Sequence, residues 1–179
     1  MEPKELLTKR KIEKLATEYG FRSDMIEDGQ LDNKKFEVFV SHSSRDVEFI
    51  RKVVFFLKKD KGVNGVYVDW QDPSMRHETN AQTAENLKER IKNVRKVIYV
   101  VTSESLKSVW CSWEIGYADC SKGVDDVAIL AIKPNNGRWK NQEYLQQYPW
   151  ISYDLEERHF MVTRLDGNRS TLYDWLRKN

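Results

Sequence analysis

The sequence predicts an α/β fold in which a mostly parallel sheet is covered by helices on both faces. Three observations carry that prediction. From Lys35 onward, short apolar segments suited to strands alternate with segments of helical periodicity. Two of the segments, KVIYVVT (96–102) and VAILAI (127–132), are nearly continuous apolar runs, as strands buried on both faces require. Each of the first three strands runs into a polar or aromatic loop, at the sheet edge where such folds bind ligands.

Taken in order, residues 4–18 form a charged amphipathic helix whose thin apolar stripe is Leu7, Ile12, Leu15 and Ala16; it stops at Gly20. Its simplest role is to cap the domain, and its alternative is self-association. RSDMIEDGQLDNK (22–34) is a polar connector. FEVFVS (36–41) is the first buried strand, and RDVEFIRKVVFFLKKD (45–60) has apolar residues at helical spacing. GVYVDW (65–70) is the second strand, followed by the loop QDPSMRHETN. TAENLKERIKN (83–93) is a helix opened by Thr83, with Asn86 only a weak capping partner. The strand at 96–102 leads to a helix capped by Ser108, and a fourth strand follows at 127–132. Beyond Pro134, PWISYD and HFMVTRL both suit strands. STLYDWLRKN closes the chain as a helix with Leu172, Trp175 and Leu176 inward.

The 179 residues suit one domain with a short extension. With 40% apolar residues, and Phe, Trp and Tyr making up 12% of the chain, it can build a substantial core. No apolar run approaches the roughly 20 residues of a membrane span, and the charged N-terminus lacks a secretory signal, so a cytoplasmic location is expected. Thirty basic against 28 acidic side chains, net charge +2, do not advertise nucleic-acid binding. Cys111 and Cys120 fall on roughly opposite sides of one helix, cannot pair there, and suit a reducing compartment. His42, His77 and His159 are scattered, and HETNA lacks the second histidine of a zinc-protease helix, so no metal is expected.

One helix holds an anomaly. In SVWCSWEIGYADC (108–120), Trp113, Tyr117, Trp110, Ala118, Cys111 and Ile115 form a broad apolar arc, and Glu114 sits near its middle, roughly 40° from Trp110 and Ala118. The plain explanation is a structural ion pair or a place at the wet edge of the arc. Familiar chemistries do not account for the loops. The first strand ends in Ser-His-Ser-Ser rather than G-x-G-x-x-G, and a triphosphate-binding loop is missing. Val101 and Thr102 stand where a phosphoacceptor receiver needs aspartate, and Ser41, Ser43 and Ser44 lack a G-x-S-x-G setting.

Three stretches together resemble the Toll/interleukin-1 receptor (TIR) domain family. FEVFVSHSSRD is similar to its first box, VYVDWQD with the long polar loop resembles its second strand and BB loop, and WCSWE supplies W-x-x-x-E as Trp110 and Glu114. The resemblance covers about residues 35–179, leaving 1–34 as an N-terminal helical extension and connector. It is nearest the stand-alone bacterial type found in anti-phage defence systems such as Thoeris. Animal adaptors carry Pro-Gly in the BB loop; here Pro73 is followed by Ser74, so that loop's conformation does not carry across.

The resemblance implies a flavodoxin-like three-layer α/β/α sandwich with a mostly parallel five-stranded sheet. It also implies an enzyme that cleaves the nicotinamide–ribose bond of NAD+, with NAD+ as substrate and no cofactor. The product would be an ADP-ribose-derived signal for an effector in antiviral immunity, or NAD would simply be depleted. Self-association through TIR–TIR contacts on activation is the further partnership expected, with no nucleic acid and no membrane. Glu114 is then the catalytic group, since an anion near the anomeric carbon stabilises an oxocarbenium-like transition state. Trp110 and Trp113 offer flat surfaces for a ring to stack on. Ser43, Ser44 and Arg45 are candidates to hold the diphosphate, with helix capping by Ser44 the alternative. Asp69 and Trp70 end the second strand and are candidates to line the pocket, Trp70 being equally suited to the core. His42 reads first as a packed neighbour, Phe39 as packing beneath the site, and Tyr117 as core. Two rival functions remain: a non-catalytic TIR interaction module, and an enzyme like the nucleoside deoxyribosyltransferases, against which the Asp-Trp loop argues.

Overall fold

The computed structural model describes residues 6–26, 36–59, 63, 65–72, 81–136 and 142–178. Its strands and helices follow in the order β1 (Leu7–Thr8), α1 (Lys9–Glu18), β2 (Val38–Ser41), α2 (Val47–Lys59), β3 (Val66–Tyr67), α3 (Ala81–Asn93), β4 (Lys96–Val101), α4 (Val109–Lys122), β5 (Val127–Lys133), β6 (Trp150–Asp154), β7 (His159–Thr163), β8 (Arg169–Thr171) and α5 (Leu172–Arg177). Most of the connector at 22–34 and the loop residues Pro73, Ser74 and His77 lie outside the described residues.

Five strands, β3-β2-β4-β5-β6, pair in parallel, which is the predicted sheet. Two antiparallel strands, β7 and β8, extend it, and β1 pairs in parallel with the end of β5 through Leu7 and Ile132, making eight. The expected five-stranded parallel centre is thus present, and among the described residues three further strands extend it. The added strands carry weaker signals: β7 alternates half-buried and buried residues because only one face is covered, and β1 has just two residues. Leu7 therefore belongs to a strand rather than to the helix stripe. The helix starts at Lys9, where Thr8 caps it by accepting the Lys11 N–H at 3.1 Å. Helix α3 likewise starts earlier than expected, at Ala81, and Thr83 is buried inside it.

Alternation along the strands builds two cores. Val38, Val40, Ile98 and Val100 face one layer, packed by α1, α2 and α5, whereas Phe39, Val97, Tyr99 and Val101 face the layer of α3 and α4. In α5, Leu172, Trp175 and Leu176 are buried as predicted, and the Trp175 indole N–H donates to Asp125 O at 2.8 Å. Gly123 closes α4 at φ 90°, a left-handed position that glycine adopts without penalty.

The N-terminal helix packs into the first core. Ile12 and Ala16 are buried, and Tyr19 meets Phe56 of α2 edge-on at 5.6 Å. A buried carboxylate ties this helix to the sheet edge: Asp46 accepts from Lys9 Nζ and from Thr102 Oγ1, the latter at 2.5 Å. Removing the carboxylate leaves the Lys9 ammonium and the Thr102 hydroxyl hydrogen without this acceptor. Asp46→Ala is expected to lower stability by about 2–4 kcal/mol, read as a drop in thermal midpoint, with helix content otherwise kept.

Candidate active site

Strand alternation and the phase of α4 bring a serine and a glutamate together. Because Phe39 faces α4, Ser41 two residues on faces it as well. Its hydroxyl donates to Glu114 Oε2 at 2.6 Å, and both residues are buried. Ser108 caps α4 by accepting the Cys111 N–H at 3.2 Å, which fixes the helix so that Cys111, Glu114, Ile115 and Ala118 point inward.

Burial pushes the Glu114 carboxyl up to about 8; the Ser41 hydroxyl opposes this, and the Asp69 carboxylate adds to it. No ion pair forms to Glu114 among the described residues. Among the described residues, then, no lysine or arginine neutralises this carboxylate. The aromatic residues lie beside it on the same helix. Trp110 meets Trp113 edge-on at 5.6 Å, and Trp113 stacks on Tyr117 at 5.7 Å with planes 12° apart. All three rings are half-buried rather than sunk in the core.

The loop after β3 is anchored from below. Asp72 is buried, accepting from Tyr67 OH at 2.9 Å and from Arg90 Nε at 3.0 Å, so α3 holds the turn that carries Asp69. Asp69 Oδ1 stands 3.3 Å from His42 Nε2 at the end of β2. Asp69 thus joins the Glu114 cluster electrostatically, whereas its neighbour Trp70 does not. Trp70 packs on the first core with the Arg51 guanidinium over its ring, on the layer opposite α4.

The expected diphosphate residues divide. Ser43 is buried and accepts the Arg45 N–H at 3.3 Å, so it, not Ser44, caps the turn that opens α2. Ser44 and Arg45 are exposed, and the Arg45 guanidinium donates to Glu104 at 3.1 Å. Phe39 is buried against Tyr67 with rings 5.2 Å apart, and it packs in the layer that faces α4. The residues that reading the sequence overlooked are Ser41, Asp72, Arg90 and Thr102. Only Ser41 had a usable signal, its phase with Phe39.

The two cysteines also differ. Cys111 is buried and its thiol is pushed up to about 12, whereas Cys120 is exposed. Thiol titration of the native protein at pH 8 is expected to show one rapidly reacting cysteine, and Cys120→Ser to abolish that phase.

A parallel α/β sheet with a buried acid at its ligand edge suits a TIR domain, and the chain belongs to that family: the model described as TIR domain matches residues 38–164. Among its relatives is a protein of Bacillus cereus (strain MSX-D12) named "Probable 3' cyclic ADP-D-ribose synthase ThsB'", 33% identical over 125 residues. That match spans 67% of this chain and 62% of the relative. A second, "Putative cyclic ADP-D-ribose synthase TIR2" of Cytobacillus dafuensis, is 33% identical over 97 residues, 52% of this chain and 25% of the relative. Among solved structures, the TIR domain of the Toll-related receptor TRR-2 from Hydra magnipapillata aligns with TM-score 0.44 and 20% identity, covering 62% of this chain and 78% of that one. Among the described residues no helix is long and apolar enough to cross a membrane.

Proposed function

We propose that this TIR domain cleaves the nicotinamide–ribose bond of NAD+ and closes the ADP-ribose into a cyclic nucleotide used as an antiviral signal. The observation that carries the reading is Glu114: a buried carboxyl, raised to about 8, with no ion pair among the described residues. Such a group gains most from a ligand that brings its own positive charge. NAD+ does so twice, first as the pyridinium of its nicotinamide and then as the sugar cation left when neutral nicotinamide departs. Each favours the ionised acid, and the charge that develops in the transition state is held in a site of low dielectric. The cyclase half of the reading draws on the two relatives, both named as cyclic ADP-D-ribose synthases.

The test is chromatography of NAD+ incubated with purified protein. Wild type is expected to release nicotinamide and a product one water lighter than ADP-ribose. A protein that releases no nicotinamide, even when concentrated enough to self-associate, is an interaction module instead.

A further inference from the structure

The histidine beside the site is held between a backbone carbonyl and a carboxylate. His42 Nδ1 lies 3.0 Å from Val40 O, and a carbonyl can only accept, so Nδ1 carries the hydrogen. In the neutral ring Nε2 is then a lone pair. That lone pair sits 3.3 Å from the Asp69 carboxylate, and among the described residues it has no hydrogen-bond partner although the side chain is only 2% exposed. With the ring neutral, two acceptors face each other there, and Trp70 is held edge-on against the imidazole at 4.7 Å. One added proton turns this repulsion into a charge-assisted hydrogen bond. The Asp69 side chain is 40% exposed, so the pair is open to the site and to solvent.

NAD+ cleavage needs such an acceptor in its second half. When nicotinamide leaves with the electrons of the C–N bond, the sugar cation is captured by a hydroxyl oxygen, from water or from another ribose of the same molecule. The C–O bond forms as the O–H bond breaks, and that proton must go somewhere. Resting on the function proposed above, the geometry points to Asp69 and His42 as the paired base that receives the proton from the capturing hydroxyl. Glu114 serves the cleavage half, and the pair then returns its proton to solvent through Asp69. A pyridine nitrogen, by contrast, captures the same cation without losing a proton.

That difference supplies the test. Net NAD+ consumption and exchange of labelled nicotinamide into NAD+ are measured side by side for wild type, Asp69→Asn, His42→Asn and Glu114→Gln. The Asn at position 42 keeps an amide N–H that can reach Val40 O, so the backbone contact survives. Asp69→Asn and His42→Asn are expected to lose about 100-fold in net consumption while exchange stays within about threefold of wild type. Glu114→Gln is expected to lose both. Equal losses of consumption and exchange in Asp69→Asn, with the thermal midpoint unchanged, would show a merely structural role and overturn the assignment. Full consumption by Asp69→Asn overturns it too. A wild-type protein that neither consumes nor exchanges NAD+ instead sinks the underlying function, whatever the variants do.

Discussion

Glu114→Gln is expected to abolish NAD+ cleavage and, at the same time, to make the protein more stable. The loss of activity follows from removing the charge that meets the sugar cation, and a drop of at least about 10³ in kcat/KM is expected. The gain in stability follows from the raised carboxyl. Its ordinary value is 4.5 and the fold raises it to about 8, so the folded protein holds this proton more tightly than the unfolded chain. The group is neutral in both states below about pH 4.5 and costs the fold nothing there. As pH rises from 4.5 towards 8, the unfolded chain ionises freely while the folded one resists, and stability falls throughout that window. At pH 7 the penalty is about 3 kcal/mol, taking 1.36 kcal/mol per unit. A glutamine never ionises, and its carbonyl can still accept the Ser41 hydroxyl. At 2–4 °C per kcal/mol for a domain of this size, the variant is expected to melt roughly 6–12 °C higher at pH 7. The gap should shrink to a few degrees or less at pH 5. Scanning fluorimetry across pH reads this directly. A Glu114→Gln protein that melts at or below wild type at pH 7 would show the acid to be stabilised, as a structural residue is. The site would then lack the strain on which the functional reading rests.

How much of this was legible in the sequence follows from the range of each signal. The five parallel strands were, because KVIYVVT and VAILAI are buried on both faces and leave no period but an unbroken apolar run. Glu114 was legible as an exception: a charge inside an otherwise apolar helical arc violates a local rule, and such violations mark function more often than error. Ser41 depends on strand phase, which Phe39 supplied. The clusters around Asp46 and Asp72 were not legible. Asp46 gathers Lys9 and Thr102 from 37 and 56 residues away, and Asp72 draws in Arg90 from 18 residues on. No local period encodes such meetings. The same limit explains Trp70, which follows Asp69 in sequence yet packs on the opposite layer, and Ser43, which takes the capping role expected of Ser44. Helix α1 is an intermediate case: its stripe was visible, but β1, at two residues, is defined only by its partner β5.

On the function proposed above, Ser41 is expected to set the working pH. Among the described residues, burial and Asp69 favour the neutral form of Glu114, and the Ser41 hydroxyl favours the anion. If Glu114 acts as the anion in the proposed reaction, kcat/KM is expected to rise about tenfold per pH unit on the acid side and to level off above about pH 8. Deleting the hydroxyl in Ser41→Ala removes a hydrogen bond to a charged group, of the kind that contributes about 1.5–3 kcal/mol. The carboxyl then rises further, by roughly one to two pH units, and the whole acid limb moves to higher pH by the same amount. At pH 7 the variant is expected to be about 10- to 100-fold slower, yet to recover towards wild-type activity at the highest pH the fold tolerates. Recovery is what separates tuning from damage. A serine that merely filled space would, when trimmed to alanine, lower the rate by the same factor at every pH. The variant's stability adds an independent check of sign, because a carboxyl raised still further destabilises the fold more as pH increases, so Ser41→Ala should lose thermal midpoint fastest on the alkaline side.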